Sequence, residues 1–277
     1  MRAYLELLRP LNCVMIAVAV LVAGFMAIGF RVQDYFVIEP LAMLCAFAFA
    51  GAGNAMNDYF DSETDKVNHP ERPIPSGRMK RENARYASIA LFAASNALAL
   101  AVAWYSWDAL PFLIVAVATL LMVSYETWSK KRGFVGNVVI SLLIAIGFAF
   151  GGAVVHRVDM VVVPALLAAL SNVGREVLKD IEDMKGDRDR TTLPMTVGLK
   201  KAGTIAASFF AAAVALSPLP YAIGMWSVYY LYAVLAADVI FIYVIITSFS
   251  NASNAQKASK LGMAVALAAF MVGGALA

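Results

Sequence analysis

Nine apolar stretches follow one another along the chain, and each has about the length of a bilayer-crossing helix. They lie near 11–30, 37–56, 84–104, 109–126, 134–155, 158–178, 200–218, 221–248 and 259–276. A spanning helix needs about 20 predominantly apolar residues. Only 15% of the residues are charged, whereas soluble globular domains average about 25%. The sequence therefore predicts an all-α, multi-pass membrane protein in which nine transmembrane helices form a single domain over residues 1–277.

The basic residues are unevenly distributed between the two ends of these stretches. Of the 22 Lys and Arg residues, all but Arg31 and Arg157 fall in the N-terminal segment, in the loops after even-numbered stretches, or at adjoining helix ends. Short loops that remain in the cytoplasm are enriched in Lys and Arg. We therefore predict a cell-membrane protein with a cytoplasmic N-terminus, an external C-terminus and its functional site on the cytoplasmic side.

Two clusters of aspartates with identical spacing lie where predicted helices reach that side. Their members are Asp58, Asp61 and Asp65 in the first cluster and Asp180, Asp183 and Asp187 in the second. Residues at i, i+3 and i+7 share one face of an α-helix, and carboxylates stacked in this way repel one another unless cations lie between them. Magnesium usually binds one or two protein carboxylates together with substrate phosphates. We predict that all six aspartates bind Mg²⁺ around a diphosphate, and that Asp61 and Asp183 are catalytically essential.

The constant offset between the clusters suggests an internal duplication. The related halves would cover about 1–130 and 131–250, and the stretch 259–276 would be an additional ninth helix. Such halves would enclose a shared central cavity, open to the cytoplasmic side.

Four polar residues near the clusters are candidates for substrate binding. Asn54 lies four residues before Asp58, on the same helix face. Asn57 is rotated by about 100° from Asp58, so it is also suited to a hydrogen bond with a neighbouring helix. Lys179 lies beside the second cluster, and Asn12 lies at the start of the first apolar stretch.

Two further segments are suited to phosphate. Prolines stiffen the loop that carries Arg72 and Arg78, and arginine side chains bind phosphate oxygens in a bidentate manner. The segment 124–137 contains Lys130, a further phosphate ligand, and Tyr125, whose ring would stabilise a nearby cation. Ordinary cytoplasmic positive charge and an interfacial aromatic belt are the alternative interpretations of these residues. Deep in the eighth stretch, Asp238 is predicted to hydrogen-bond within the bundle.

These motifs together resemble the UbiA superfamily of intramembrane prenyltransferases. The segment from Asn57 to Asp65 matches the pattern Asn-Asp-x-x-Asp-x-x-x-Asp, and the segment from Asp180 to Asp187 matches Asp-x-x-Asp-x-x-x-Asp. The stretches 6–10, 51–61, 72–78 and 174–176 look most like the branch that builds archaeal ether lipids.

The resemblance implies a Mg²⁺-dependent enzyme that transfers a geranylgeranyl group. The donor would be geranylgeranyl diphosphate, and the acceptor would be the glycerol hydroxyl of geranylgeranylglyceryl phosphate, at a lipid-facing site. In this interpretation Arg72 and Lys130 bind phosphate, and Tyr125 lines the reacting end. Neither nucleic acid nor a protein partner is implied.

Three other functions are compatible with parts of the pattern. Prenyl transfer to an aromatic acceptor, as in quinone or haem biosynthesis, also requires basic residues. Alcohol phosphotransferases carry Gly after the second aspartate of their motif, whereas Ser62 and Met184 follow Asp61 and Asp183 here. A cation transporter would place its carboxylates near the bilayer midplane, and these lie at helix ends.

Overall fold

The computed structural model describes residues 2–184 and 191–277, which leaves Asp187 outside the described residues. Within this part of the chain the ordered elements are helices joined by turns, so the all-α prediction is confirmed. Nine helices within these two ranges have 18 residues or more: α1 Pro10–Ile28, α2 Ile38–Phe60, α3 Arg81–Ser106, α4 Leu110–Thr127, α5 Phe134–Val154, α6 Val162–Asp183, α7 Leu199–Leu216, α8 Val228–Thr247 and α9 Ala252–Ala275. Shorter helices cover Arg2–Leu8, Asp65–Asn68, Leu193–Val197 and Leu219–Ala222.

Among the described residues, eight helices are long and apolar enough to cross a membrane, which indicates a multi-pass membrane protein. Helix α6 is not one of them. It is long enough, but Arg175, Glu176 and Lys179 lie in its C-terminal half together with the second aspartate cluster. The span predicted near 158–178, which α6 covers, therefore stays a prediction.

The helices form two adjacent groups that share α5. In the first group α1 packs on α2, α2 on α3, α3 on α4, α4 on α5, and α5 returns to α1. In the second group α5 packs on α6, α6 on α7 and α9, α7 on α8, and α8 on α9. Helix α1 also contacts α9, so the two groups are joined at a second place. Asp58 lies on a helix of the first group, whereas Asp180 and Asp183 lie on a helix of the second group.

Glycines allow α1 to approach both α5 and α9 closely. A Cβ atom at Gly151 would lie 2.5 Å from the Cβ of Ala23, and one at Gly274 would lie 2.6 Å from the Cα of Met26. Small residues bring helix backbones together in this way inside membranes, where packing drives association.

The first aspartate cluster is less helical than its spacing predicts. Helix α2 ends at Phe60, Asp61 follows as its C-cap, and Asp65 begins the next short helix. The expectation of three aspartates on one continuous helix face is therefore wrong for this cluster. Side chains of Asp, Ser and Thr compete with the backbone for hydrogen bonds and disfavour helix interiors, and the intervening turn contains Ser62 and Thr64.

Candidate active site

The polar ends of several helices meet at one end of the bundle. The guanidinium of Arg9, just before α1, pairs with Asp58 near the end of α2. Asn57 of α2 donates to Glu126 near the end of α4 over 3.2 Å. Asn137 at the start of α5 donates to Asp180 near the end of α6 over 2.8 Å. These contacts define what we call the acidic end of the bundle.

Asp58 is buried, and basic groups from two separate segments neutralise it. Besides Arg9, the Arg72 guanidinium lies 3.6 Å from Asp58 Oδ1 and 2.6 Å from Asp65 Oδ2. The turn after Asp61 thus returns Asp65 to the side of Asp58, although no continuous helix connects them. One guanidinium therefore contacts a carboxylate of each residue, Asp58 and Asp65.

Asp61 belongs to a closed ring of four side chains. Asn57 Nδ2 donates to Asp61 Oδ2 over 3.1 Å, and Lys130 Nζ donates to the same oxygen over 2.7 Å. The same two donors contact Glu126, at 3.2 Å from Asn57 and 2.9 Å from Lys130. Glu126 is buried, with only 3% of its surface exposed. Two carboxylates therefore share two donors, and Glu126 holds Asn57 and Lys130 in position beside Asp61.

The second cluster is anchored on α5. Asp180 is buried and accepts the hydrogen bond from Asn137, whereas Asp183 is half-buried at the last position of α6. Lys179 is half-buried on the same helix. One turn further from the acidic end, Asn172 of α6 donates to Ser141 of α5 over 2.9 Å. These bonds fix the register of α6 against α5.

Both clusters contact the short connection between α4 and α5. Lys130 in that connection reaches Asp61, and Asn137, one turn into α5, reaches Asp180. The segment 126–137 therefore lies between the two clusters and determines their relative position.

A cavity of about 480 Å³, which we call the first cavity, extends from the acidic end into the first helix group. Its polar lining residues are Arg9, Asn54, Asn57, Tyr125 and Glu126, in addition to the thiol of Cys45. Arg9 and Asn57 in turn contact Asp58 and Asp61.

The remainder of the lining is apolar. It comes from α1, α2, α4 and α5, and includes Val20, Phe49, Val115, Leu143 and Phe150. The first cavity thus joins charged groups at one end to a hydrocarbon-like chamber at the other.

Of the two asparagines of α2, Asn57 rather than Asn54 contacts an aspartate of the first cluster. Asn54, predicted to face the aspartates, donates to the backbone carbonyl of Leu8 over 2.8 Å and so ties α2 to the N-terminal helix. Asn57 makes the predicted bond to a neighbouring helix, at Glu126, and it also contacts Asp61. Both asparagines line the first cavity.

Two other predicted binding residues lie away from this cavity. Arg78 is exposed, and its Nη1 atom donates to Glu6 Oε2 over 2.6 Å. Asn12 is exposed on α1 and is not among the lining residues. Tyr125, in contrast, is one of the residues that line the first cavity.

Sequence reasoning passed over three residues of the acidic end: Arg9, Glu126 and Asn137. Glu126 precedes Lys130 by four residues, a spacing that pairs opposite charges on a helix. That signal was available in the sequence. Arg9 has a left-handed backbone (φ 51°), which is uncommon for a residue with a side chain, and only the folded chain shows that it reaches Asp58.

The donor chemistry of the acidic end fits a hard divalent cation. Carboxylate oxygens of Asp58 and Asp65 contact one guanidinium. Asp61 accepts hydrogen bonds from Asn57 and Lys130. Among the described side chains, no three His, Cys, Asp or Glu groups are close enough to form a ready-made site. Magnesium commonly takes only one or two protein carboxylates and completes its shell with water and substrate phosphates, so such a site is sufficient.

A bundle of apolar helices, in which an acidic end adjoins an apolar chamber, is the architecture of a membrane protein with a site for an amphiphilic molecule. The chain belongs to the UbiA prenyltransferase family, whose model matches residues 16–272.

Several relatives match over almost their full length. The digeranylgeranylglyceryl phosphate synthase of Methanothermobacter thermautotrophicus is 39% identical over 99% of this chain and 96% of that protein. The synthase of the same name from Methanosarcina mazei is 38% identical over 98% of each chain.

Solved structures give the same picture of the fold. A structure of a digeranylgeranylglyceryl phosphate synthase superimposes with a TM-score of 0.87 at 32% identity, covering 99% of this chain and 98% of that one. A UbiA homologue from Archaeoglobus fulgidus, bound to DMAPP and Mg²⁺, superimposes with a TM-score of 0.62 at 18% identity over 97% and 99%.

Proposed function

We propose that this prenyltransferase transfers a geranylgeranyl group from geranylgeranyl diphosphate to the glycerol hydroxyl of geranylgeranylglyceryl phosphate. The observation that carries the proposal is the first cavity, in which an apolar chamber opens at residues that contact the first aspartate cluster. The near full-length relatives named as digeranylgeranylglyceryl phosphate synthases support this choice of substrates.

The apolar part of the first cavity suits the tail of the donor. Along α2 its lining runs from Asn57 to Cys45, a distance of about 18 Å at the helical rise of 1.5 Å per residue. A narrow apolar chamber of this depth accommodates an extended prenyl chain and removes its surface from water.

The diphosphate head would lie among the cationic groups of the acidic end. Arg9, Arg72 and Lys130 each contact an aspartate of the first cluster, so they are positioned to bind phosphate oxygens beside the same carboxylates. Arginine forks bind two phosphate oxygens at once. In this proposal Asn57 and Tyr125 complete the binding of the head at the cavity mouth.

The described aspartates would hold Mg²⁺: Asp58, Asp61, Asp65, Asp180 and Asp183. Asp187, which lies outside the described residues, is proposed as the sixth member on its spacing alone. When bound, Mg²⁺ supplies Lewis-acid neutralisation of the charge that develops on the departing diphosphate.

In the reaction the allylic carbon–oxygen bond breaks, and its electron pair leaves with the diphosphate. The hydroxyl oxygen of the acceptor donates a pair to the same carbon, forming the ether bond and releasing its proton. The basic groups of this chain stabilise the departing diphosphate electrostatically. The apolar walls exclude water, which would otherwise trap the cationic carbon.

The proposed function is tested with purified protein, Mg²⁺, geranylgeranyl diphosphate and two acceptors in parallel. We expect an ether product with geranylgeranylglyceryl phosphate, detected by mass spectrometry, and none with a hydroxylated aromatic acid. Chelation with EDTA is expected to stop product formation, and added Mg²⁺ to restore it. Product with the aromatic acid alone would reject the proposed acceptor.

We further propose that the acidic end faces the cytoplasm and that α6 also crosses the membrane, which would bring the candidate spans of the described residues from eight to nine. Two features support this. The basic residues are concentrated on the loops of that end, and α6 packs along α5, α7 and α9, each of which is a candidate span.

A further inference from the structure

A second, smaller cavity of about 250 Å³ lies beside the first, inside the other helix group. It is lined from α5, α6, α8, α9 and the C-terminal end of α7. Ile144 and Phe148, one turn apart on α5, line both cavities. These two side chains therefore form the partition between them.

The second cavity has the chemistry of a hydrocarbon site. Most of its lining is aliphatic or aromatic, including Leu167, Val234, Ala266 and Phe270. The three polar members are Ser171, Ser217 and Asp238.

Hydrogen bonds inside the protein already engage these polar members. Ser217 donates to Asp238 Oδ2 over 2.6 Å, which confirms the predicted bond of Asp238 within the bundle. Ser171 donates to carbonyls of its own helix. A ligand in this cavity would therefore meet mainly apolar atoms.

The partition lies far from the acidic end. Along α5, Phe148 follows Asn137 by about 16 Å at the helical rise. If the diphosphate head of a prenyl donor stays at the acidic end, the distal isoprene units of its tail reach this depth. Beyond Ile144 and Phe148, the apolar space continues into the second helix group.

We propose that Ile144 and Phe148 limit the length of the prenyl chain that the enzyme accepts, and that the second cavity is a latent extension of the donor site. This inference rests on the proposed function, because it takes the first cavity as the site of the donor tail. The ligand class is an allylic prenyl diphosphate longer than geranylgeranyl diphosphate.

The partition is tested by removing it and offering two donors, geranylgeranyl diphosphate and farnesylgeranyl diphosphate, which is one isoprene unit longer. The measured quantity is the ratio of product formed from the longer donor to product formed from the shorter donor, by mass spectrometry. Phe148→Ala is expected to raise this ratio by about ten-fold or more. Enzymes discriminate on this scale between substrates that differ by a small apolar group in a hydrophobic pocket. Ile144→Ala is expected to act in the same direction.

Two control variants separate a partition from a simple gain in volume. Phe49→Ala removes the same side chain from a wall that belongs to the first cavity alone. Whatever its effect on turnover, the ratio should rise far less than in Phe148→Ala. Phe148→Ala combined with Ala266→Phe fills the second cavity from α9, and the ratio should return toward its original value.

Several results would overturn the inference. One is an unchanged ratio in both Phe148→Ala and Ile144→Ala when each still uses geranylgeranyl diphosphate. Another is an equal rise in Phe49→Ala. Thermal unfolding in detergent identifies a variant that fails to fold, and the other partition variant then decides the outcome. If the unmodified protein makes no product from geranylgeranyl diphosphate, the proposed function itself fails, which is a distinct result.

Discussion

Lys130 Nζ lies 2.7 Å from Asp61 Oδ2, which ties the connection between α4 and α5 to the end of α2. The same ammonium lies 2.9 Å from buried Glu126. A basic group proposed to bind diphosphate is thus already positioned beside a carboxylate proposed to bind metal. A single hydrogen bond therefore joins a cationic group of the proposed site to an anionic one.

The first prediction concerns the aspartates. Asp61→Ala and Asp183→Ala are each expected to lower kcat at least about 100-fold, because groups that stabilise developing charge contribute on this scale. Turnover is measured at matched protein concentrations in detergent.

Glu63→Ala is the matched control for Asp61→Ala. Glu63 lies two residues from Asp61 but is exposed, and the Lys66 ammonium, which donates hydrogen bonds to both of its oxygens, lowers the pKa of this carboxyl. Its loss should leave turnover nearly unchanged. Activity retained in Asp61→Ala would refute the metal-binding role of that residue.

Lys130→Met should weaken donor binding and slow turnover, since it removes a cation beside Asp61 and leaves Glu126 buried without its ammonium partner. We expect the KM for geranylgeranyl diphosphate to rise about ten-fold or more, which corresponds to roughly 1.4 kcal/mol. The exposed neighbour Lys131 offers the comparison, and Lys131→Met should leave KM close to its original value. Equal effects of the two substitutions would indicate general surface charge rather than a specific contact.

Glu126 is predicted to act as a positioning residue for Asn57 and Lys130. Glu126→Gln keeps an oxygen that accepts from either donor, whereas Glu126→Leu removes both bonds and leaves the half-buried Lys130 ammonium without its buried partner. Breaking one partner of a buried ion pair costs about 3–5 kcal/mol, so Glu126→Leu should lower the Tm markedly and Glu126→Gln much less.

A purely structural role for Glu126 would change the Tm and leave the kinetics of the folded fraction intact. We expect instead that Glu126→Gln raises the KM for the donor, measured by initial rates, because Lys130 is held less firmly. An unaltered KM together with a lowered Tm would contradict the positioning role.

Membrane orientation is tested with single exposed cysteines. Both native cysteines, Cys13 and Cys45, are buried, so new thiols report with little background. Lys80 lies beside the acidic end of the bundle, and Gln33 lies in the segment between α1 and α2 at the other end. Each is replaced by Cys in a separate variant. In intact cells a membrane-impermeant maleimide should label the Gln33→Cys variant and spare the Lys80→Cys variant. The reverse pattern would place the acidic end outside.

Local sequence patterns predict part of this structure, and individual residues show where they stop. The apolar stretches predict the nine long helices because hydrophobic length is a local property, although α9 begins at Ala252 rather than near residue 259. The spacing of the aspartates predicts the acidic end, since helix periodicity places Asp180 and Asp183 together. In contrast, α2 ends at Phe60, and Asp58 and Asp65 converge through a turn and the side chain of Arg72. That convergence depends on Arg72, and no local sequence pattern specifies where its side chain lies.

Composition and short-range spacing are sufficient to predict the class of fold and the chemistry of the acid clusters. The packing of the folded bundle brings each hydrogen-bond donor to its carboxylate, as with Arg9 on Asp58 and Asn137 on Asp180. It also decided that α5 carries a shared wall between two cavities. The physical reason is that these contacts join residues far apart in the chain, and their geometry is set by how whole helices pack against one another.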